Sequence, residues 1–541
     1  MKNKIVGIIF CMLLILISNS VSGNVIFNNK NSEISSKVLE GNDIDWWPMR
    51  HHDAQNSGFS KSTAPDSNNI IWNSEFGGSL HTPVLVWNNI VYVNYYGSEL
   101  PLYCLNATDG SVQWKYSGDN WNPGQTPAIA DGYLYTTFLY YVEEGNSQEF
   151  LCLNATNGYK IWSYTFSDKI YGCDCFPVVW NGYVYFGSNN NSLFCFDANP
   201  FDDNIDEGID DPNEASYDLI WLFDSGGDIQ YTPAIYNGKI YVVSRRCAGG
   251  DLFCLNASTG EEIWHKKCGD VTTSTVISNG RIYYGAIGGS DMNNAYSSHI
   301  FCIDVDNPDK IYWEYVIDIY VIRATPAVAY GKVFFGLHNG YVYCLDAVDG
   351  RLIWDKQTDC KWMGATPAIA DNKLYTVSGQ SVVCLDCDNG DILWEKKVKR
   401  VDVPDVYVSP VIAKDTVFVG VVERSSSKSV VYAFADGIGI KEIIGGRRGP
   451  TVVVQNTYDV DLNVNILMKF EIISGIIFAG LEIQTSIGPL KAGQTFPLKR
   501  KALGFGLMRI KVYVNSAQTG YGSTKTVEAL VWGLNTIILQ D

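Results

Sequence analysis

The sequence predicts an all-β chain: an eight-bladed β-propeller over residues 46–440, followed by a small β-sandwich over residues 451–541. Three observations predict it. One phrase of four short alternating segments recurs down the chain, each joint carrying turn residues. Tryptophans close that phrase at intervals of roughly 40 to 60 residues, the length of a propeller blade. The composition holds 33 Tyr, 15 Trp and 50 Gly, a mix that favours strands and tight turns over helices.

The elements follow in chain order. Residues 1–23 read as a secretory signal, with Lys2 and Lys4, an apolar run from Ile5 to Ile17, and the small-residue step Val21-Ser22-Gly23. The alternative is an uncleaved anchor, but the run is shorter than the roughly 20 residues a spanning helix needs. Cys11 lies inside the run, which does not suit lipid attachment. Residues 24–45 are Asn- and Ser-rich and are expected to be disordered.

The repeating phrase begins with a Thr-Pro or Ser-Pro step: Thr82-Pro83, Thr126-Pro127, Thr232-Pro233, Thr325-Pro326, Thr366-Pro367 and Ser409-Pro410. Phe176-Pro177 and Ser274-Thr275 are degenerate copies. Turns such as Asp131-Gly132 and Asn237-Gly238 lead into strands such as "GYVYFGS" and "GKIYVVS". The phrase closes on Trp114, Trp162, Trp221, Trp264, Trp313, Trp354 and Trp394. The last copy, Ser409 to Gly437, has no closing Trp. The missing strand is expected at Ile70-Ile71-Trp72, so that the two ends of the repeat complete one sheet and leave no free edge. Seven blades is the alternative count.

Residues 441–450, with "GGRRGP", read as a linker, and the alternating runs beyond Thr451 suggest a sandwich of immunoglobulin size. The apolar stretch Ile466 to Leu481 carries Lys469 and Glu471, which suits a strand pair better than a membrane span.

A formal net charge of −18 repels phosphate backbones, which excludes nucleic acid as the expected partner. No membrane span is expected once the signal is removed. A cation, a protein or a glycan is compatible.

"CLNATDGSVQW" (Cys104 to Trp114), "CLNASTGEEIW" and "CLDAVDGRLIW" resemble the tryptophan-docking repeat of quinoprotein-type, PQQ-like propellers. "WWPMRHHDAQNSGFS", Trp46 to Ser60, resembles the lead-in before such propellers. The resemblance covers residues 46 to 437. It implies that each indole, Trp72 included, wedges against the next blade. It is specific for fold and weak for function, because the fold hosts enzymes and scaffolds alike. PQQ-dependent alcohol dehydrogenases of this group set two adjacent cysteines against the cofactor. Here Asp174 separates Cys173 from Cys175. Such an enzyme also needs a cation held by carboxylate and amide, an Asp base and a Trp platform. Trp121 or Trp362 and Asp174 or Asp228 are available, but no motif fixes them. A third resemblance is to the outer-membrane-assembly propeller of bacterial envelopes. The lack of a lipid-attachment cysteine and the extra C-terminal domain depart from it.

Candidate sites are weighed against plainer roles. Cys104, Cys152, Cys195, Cys254, Cys302, Cys344 and Cys384 share one repeat position and read as packing residues. Cys247 and Cys268 fall in one blade and could bridge. The residues before each Thr-Pro step are expected to line the channel mouth: His81, Gln125, Asp174, Gln230 and Arg323, with Tyr407, Thr272 and Gly364. Trp121 and Trp362 lie nearby. This ring is either a small-ligand or glycan site or a water-filled funnel. Asp202, Asp206, Asp210 and Asp211 could hold Ca²⁺ or form a solvated acidic loop. Adjacent His51 and His52 on an extended chain would point apart, so a structural clasp is expected rather than a metal site. Asn106, Asn154, Asn190 and Asn256 begin glycosylation sequons, though three are turn residues of the repeat. No catalytic residue is assigned and no cofactor is required; Ca²⁺ suits the acidic loop, and PQQ belongs only to the dehydrogenase alternative. The expectation is an exported, non-catalytic binding scaffold at the cell surface or in the envelope.

Overall fold

The computed structural model describes residues 44–68, 70–78, 80, 82–94, 101–117, 121–123, 125–142, 145–166, 175–198, 219–246, 249–287, 297–318, 322–358, 365–378, 381–398, 408–423, 428–435, 438–444, 446–447, 450–456, 462–478, 482–491, 494–499, 503–516, 522–533 and 535–540. The signal, residues 24–43 of the polar leader and the carboxylates Asp202 to Asp211 lie outside them; Asp45, expected within a disordered leader, is instead placed, because its carboxylate bonds His52 and Ser60.

The described residues form eight antiparallel units, seven of them laid down in chain order from inner to outer strand; each has four strands, and blade 2 adds a fifth, Trp121–Pro123. The inner strands are Leu85–Trp87, Ala128–Ala130, Val178–Trp180, Ala234–Tyr236, Val276–Ser278, Ala327–Ala329, Ala368–Ala370 and Val411–Ala413; they open blades 1 to 8. Val411–Ala413 packs beside both Ala368–Ala370 and Leu85–Trp87, so last meets first and the units form a closed propeller ring. The outer strand of blade 8 is Ile70–Gly77, which pairs with Lys428–Phe434 and sets Trp72 opposite Ala433. The sheets of blades 4 and 5 are also joined, because Glu262–Val271 runs on to pair Asp270 with Ile287 and Val271 with Ala286.

Local chemistry makes each blade. The first hairpin turns on two residues of positive φ: Asn88 and Asn89, Asp131 and Gly132, Asn237 and Gly238. Such primed turns match the twist of the flanking strands. The second hairpin opens on an Asn or Asp whose side-chain oxygen caps the turn: Asn106 Oδ1 accepts the N–H of Thr108 at 2.8 Å, and Asp346 Oδ1 that of Val348 at 2.7 Å. Asn154 and Asn256 do the same, so these sequon asparagines serve the turn.

The indoles dock across blade boundaries. Trp72 lies against the Gly110 turn of blade 1, Trp114 against Gly158, Trp221 against Gly260, Trp313 against Gly350 and Trp354 against Gly390. A methyl group on Gly110 would stand 2.5 Å from the Trp72 ring, and Gly110 has φ of +71°. Both facts demand glycine there.

A second rivet escaped the sequence reading. Tyrosine in the second strand donates its hydroxyl to a carbonyl of the next blade: Tyr92 to Ala155, Tyr135 to Ala198, Tyr185 to Ala257, Tyr283 to Ala347 and Tyr375 to Pro65. The signal was the Tyr of "GYLY", "GYVY" and "GRIY", which strand alternation alone had seemed to explain.

The seven repeat cysteines are buried free thiols, each opposite its closing Trp, as in Cys104↔Trp114 and Cys302↔Trp313. Burial pushes the Cys254 thiol up to about 11 and that of Cys344 to about 12, so they are protonated packing groups.

The C-terminal region begins earlier than expected. Ile438–Ile444 pairs with Thr451–Asn456, so residues 441–444 are strand and not linker. Ile438 and Ile440 alternate, and Ile443 follows one bulge later. Two sheets, one of three strands and one of six, share a core that includes Val452, Val464, Ile466, Met508 and Val531. Leu462–Phe478 pairs with Glu482–Leu490 and Leu503–Ser516, so the apolar run is a strand. No helix of the described chain is long and apolar enough to cross a membrane.

Candidate functional site

The lead-in occupies the hub. An inner strand is a sheet edge, and its middle residue turns backbone groups toward the channel. The lead-in takes up these groups one blade after another. Trp47 and Val86 exchange bonds of 2.9 and 3.0 Å. Pro48 O accepts Ile129 N–H at 2.8 Å, and Arg50 lies over the Phe176 ring at 3.6 Å. Ala54 O accepts Ile235 N–H at 2.6 Å and Gln55 O accepts Ile277 N–H at 3.0 Å. Ser57 O and Gly58 O accept Val328 and Ile369 N–H, both at 2.9 Å. Ser62 Oγ accepts Lys414 N–H at 3.2 Å, reaching blade 8. Asn56 is fully buried, and its amide donates to Thr232, Pro233 and Thr275 carbonyls, joining blades 4 and 5.

The segment curls where an extended chain was expected. His51 and His52 have φ of 61° and 83°, and both are buried. His51 Nε2 accepts from Arg50 Nε at 3.2 Å; burial and the Arg50 charge hold its pKa well below the usual range. His52 Nε2 meets Asp45 at 3.2 Å, and its Nδ1 lies 3.5 Å from Asp53. Burial opposes the charge on His52, but the two carboxylates prevail and push its pKa up to about 9. Asp45 also accepts Ser60 Oγ–H at 2.9 Å, and Asp53 accepts the N–H groups of Gln55 and Ser57 at 3.0 Å. The histidines are therefore clasp residues.

Phe59 packs on Tyr330 and Thr63 bonds Asp415, both in first-hairpin turns, so the lead-in reaches the turn end of the ring. At the Thr-Pro steps a belt of hydroxyls ties neighbours: Thr232 N–H to Ser274 Oγ and Ser274 N–H to Thr325 Oγ1 at 3.1 Å, and Thr366 N–H to Ser409 Oγ at 2.9 Å. Of the expected mouth residues, the Gln125 carbonyl accepts from the Asn94 amide and from Thr136. Gln230 accepts from Arg245, whose guanidinium also pairs with Asp270 at 3.3 Å. Arg323 is exposed. Trp121 belongs to the strand Trp121–Pro123, paired with blade 2. His81, Asp174, Trp362, Tyr407, Thr272's counterpart Gly364 and the carboxylates Asp202, Asp206, Asp210 and Asp211 lie outside the described residues. So does Cys247, while Cys268 is a buried free thiol that donates to Gly250 O at 3.3 Å. Cys175 is likewise buried, and its Sγ accepts the Gly187 N–H at 3.2 Å.

Among the described residues no group of three or more His, Cys, Asp or Glu is placed to hold a metal. Asp228 is tied by paired backbone bonds to Arg245. Ser297, His299 and Glu314 form a hydrogen-bonded chain with both steps at 2.7 Å. Its order is that of a hydrolytic triad, but Ser297 is 1% exposed. The chain is a polar strut in blade 5 that runs from buried Ser297 and His299 to exposed Glu314.

Comparison with known proteins places this geometry. The outer membrane protein assembly factor BamB of Yersinia pestis is 23% identical over 346 residues, covering 59% of this chain and 78% of that protein. The BamB of Escherichia coli is 24% identical over 147 residues, and the match spans about a third of its length (34%). The solved quinohemoprotein alcohol dehydrogenase of Comamonas testosteroni superposes with a TM-score of 0.53 at 12% identity, over 72% of this chain and 80% of that one. The europium-containing methanol dehydrogenase gives 0.52 at 11% identity, over 70% and 89%. At such identities these structures show the propeller fold alone. A family model described as outer membrane protein assembly factor BamB matches residues 54–214 and 303–443, more than half of the chain. The match takes in the second half of the hub lead-in, from residue 54, and both ends of the blade series, and the chain belongs to that family of PQQ-like repeat propellers.

Proposed function

We propose that this chain is a non-catalytic propeller scaffold that binds a protein partner in the cell envelope. The observation that carries the reading is the family match, which covers both ends of the propeller and stops near the start of the C-terminal sheets. The relatives' name, outer membrane protein assembly factor, suggests a role in handling other envelope proteins. The geometry supports binding over chemistry. The lead-in bonds the inner strands around the hub, and Gln125, Gln230, Arg245 and Arg323 near the Thr-Pro steps are the face offered to a partner. The net charge of −18 favours a partner with basic patches. Export, a cell-surface position and a glycan as ligand are finer versions of the same reading.

The test uses the full chain after removal of its leader. It is incubated with PQQ and Ca²⁺, and quinone absorbance and dye reduction by alcohols or sugars are followed. No bound quinone is expected. In parallel, cross-linking in the source cells from a photoreactive residue at position 230 or 323 should capture envelope proteins. The same probe at exposed Tyr159 on the rim should not. A stoichiometric quinone spectrum with turnover would overturn the scaffold reading.

A further inference from the structure

The lead-in is held at three kinds of point: backbone bonds to the inner strands, the Asn56 amide, and one charged cluster. The cluster is the part that chemistry can undo. Asp45 gathers both ends of the segment, because its carboxylate takes His52 from the middle and Ser60 and the Lys61 N–H from the far end. Asp53 takes His52 from the other side and fixes the turn through Gln55 and Ser57. The groups facing His52 are those two carboxylates and the edge of the Trp47 ring at 4.9 Å. Arg50 and His51 contact each other, and the Arg50 guanidinium turns to Phe176. His52 is thus one buried cation between two anions.

We propose that Asp45, His52 and Asp53 form an ionic latch that keeps the lead-in seated in the hub, and that raising the pH releases the lead-in before the blades unfold. Removing the proton leaves a neutral ring between two partly buried carboxylates, whose mutual repulsion is no longer offset. The sign follows from the direction of the shift. His52 has a folded pKa raised to about 9, above its ordinary 6.5. Its contribution is complete below the ordinary value and is lost as pH rises through about 9. Asp45 is lowered: burial opposes this, but the His52 bond and charge outweigh it. Its contribution is present above the usual carboxylate range and is lost as pH falls through its lowered value. The latch therefore holds across the neutral window and opens at its alkaline edge. Opening would bare the channel-facing groups of Val86, Ile129, Ile235, Ile277, Val328 and Ile369, a ring of edges that suits an extended peptide.

Hydrogen exchange on the full chain from pH 6 to 10, corrected for the intrinsic rate, tests this. Protection of the Ile235, Ile277, Val328 and Ile369 amides should fall on the order of 100-fold across the alkaline step. The Tyr343 and Cys344 amides inside blade 6 should keep theirs. His52→Gln retains a hydrogen-bonding side chain without the charge, so its step should vanish. Asp45→Asn should move the step to lower pH. A step that persists in His52→Gln, or hub and blade amides losing protection together in the unaltered chain, overturns the latch. If His52→Gln does not fold, Asp45→Asn and Asp53→Asn report the same quantity, and an unmoved midpoint in both overturns it.

Discussion

Blades 2 and 6 solve the same problem with opposite residues. Each must satisfy a buried carbonyl at the turn of the next blade. In blade 2 the Tyr135 hydroxyl bonds Ala198 O at 2.6 Å, and the Trp162 indole N–H finds no acceptor among the described residues. In blade 6 phenylalanine replaces tyrosine, and the Trp354 N–H bonds Cys387 O at 3.1 Å. Blades 1, 4 and 7 follow the first arrangement, through Tyr92, Tyr241 and Tyr375. Blade 8 follows the second, with Phe418 beside Trp72 and a 2.8 Å bond from Trp72 to Ala107 O. Blades 3 and 5 use both donors on one carbonyl. The lesson is that the acceptor is fixed and the donor is interchangeable. A ring of near-identical units can drift in sequence while every junction keeps at least one bond.

That contrast can be broken hardest at Trp72. Trp72→Ala removes a buried indole and the hydrogen bond to Ala107 together, at a junction with no tyrosine; a loss of about 3–5 kcal/mol in urea unfolding is expected. The turn glycines come next. Gly110→Ala drives a methyl into the Trp72 ring and should cost about 2–3 kcal/mol in the same assay. Gly132→Ala, whose surroundings are open, should cost only the roughly 1 kcal/mol of an unfavourable φ. Equal costs would show that the indole contact does not define the glycine. The hydroxyl deletions sharpen the comparison most finely. Tyr135→Phe leaves the Ala198 carbonyl without its tyrosine donor and should cost about 1–2 kcal/mol. Tyr283→Phe leaves the Trp313 bond to Ala347 in place and should cost at most about 0.5 kcal/mol. If the two tyrosines cost the same, the shared acceptor is not being rescued by the indole.

Much of the wheel was legible because its code is local and repeated. A Trp at a fixed offset from an Asx turn and a glycine declares a docking indole, and "IIW" near the start announced the strand absent from the last copy. The hub was not legible. Its bonds join backbone groups hundreds of residues apart, such as Gly58 with Ile369, and backbone groups leave no residue signature. The curl at His51 and His52 was hidden for a related reason: non-glycine residues at positive φ are held there by the groups around them, here Asp45, Asp53 and Arg50. The tyrosine rivet was visible and underused. Of the candidate mouth, Gln125, Gln230, Thr272, Trp121 and Arg323 fall among the described residues.

Ile70–Gly77 finds its partner strand only at Lys428–Phe434. A ribosome, or an export channel threading this chain from its beginning, therefore delivers the closing strand first and its mate last. Throughout that interval the nascent blades carry an uncapped edge, the kind of surface that recruits neighbours into aggregates. A chain broken off anywhere before Phe434 never loses that liability. The cell that makes this protein must shield it for most of the time it takes to be born.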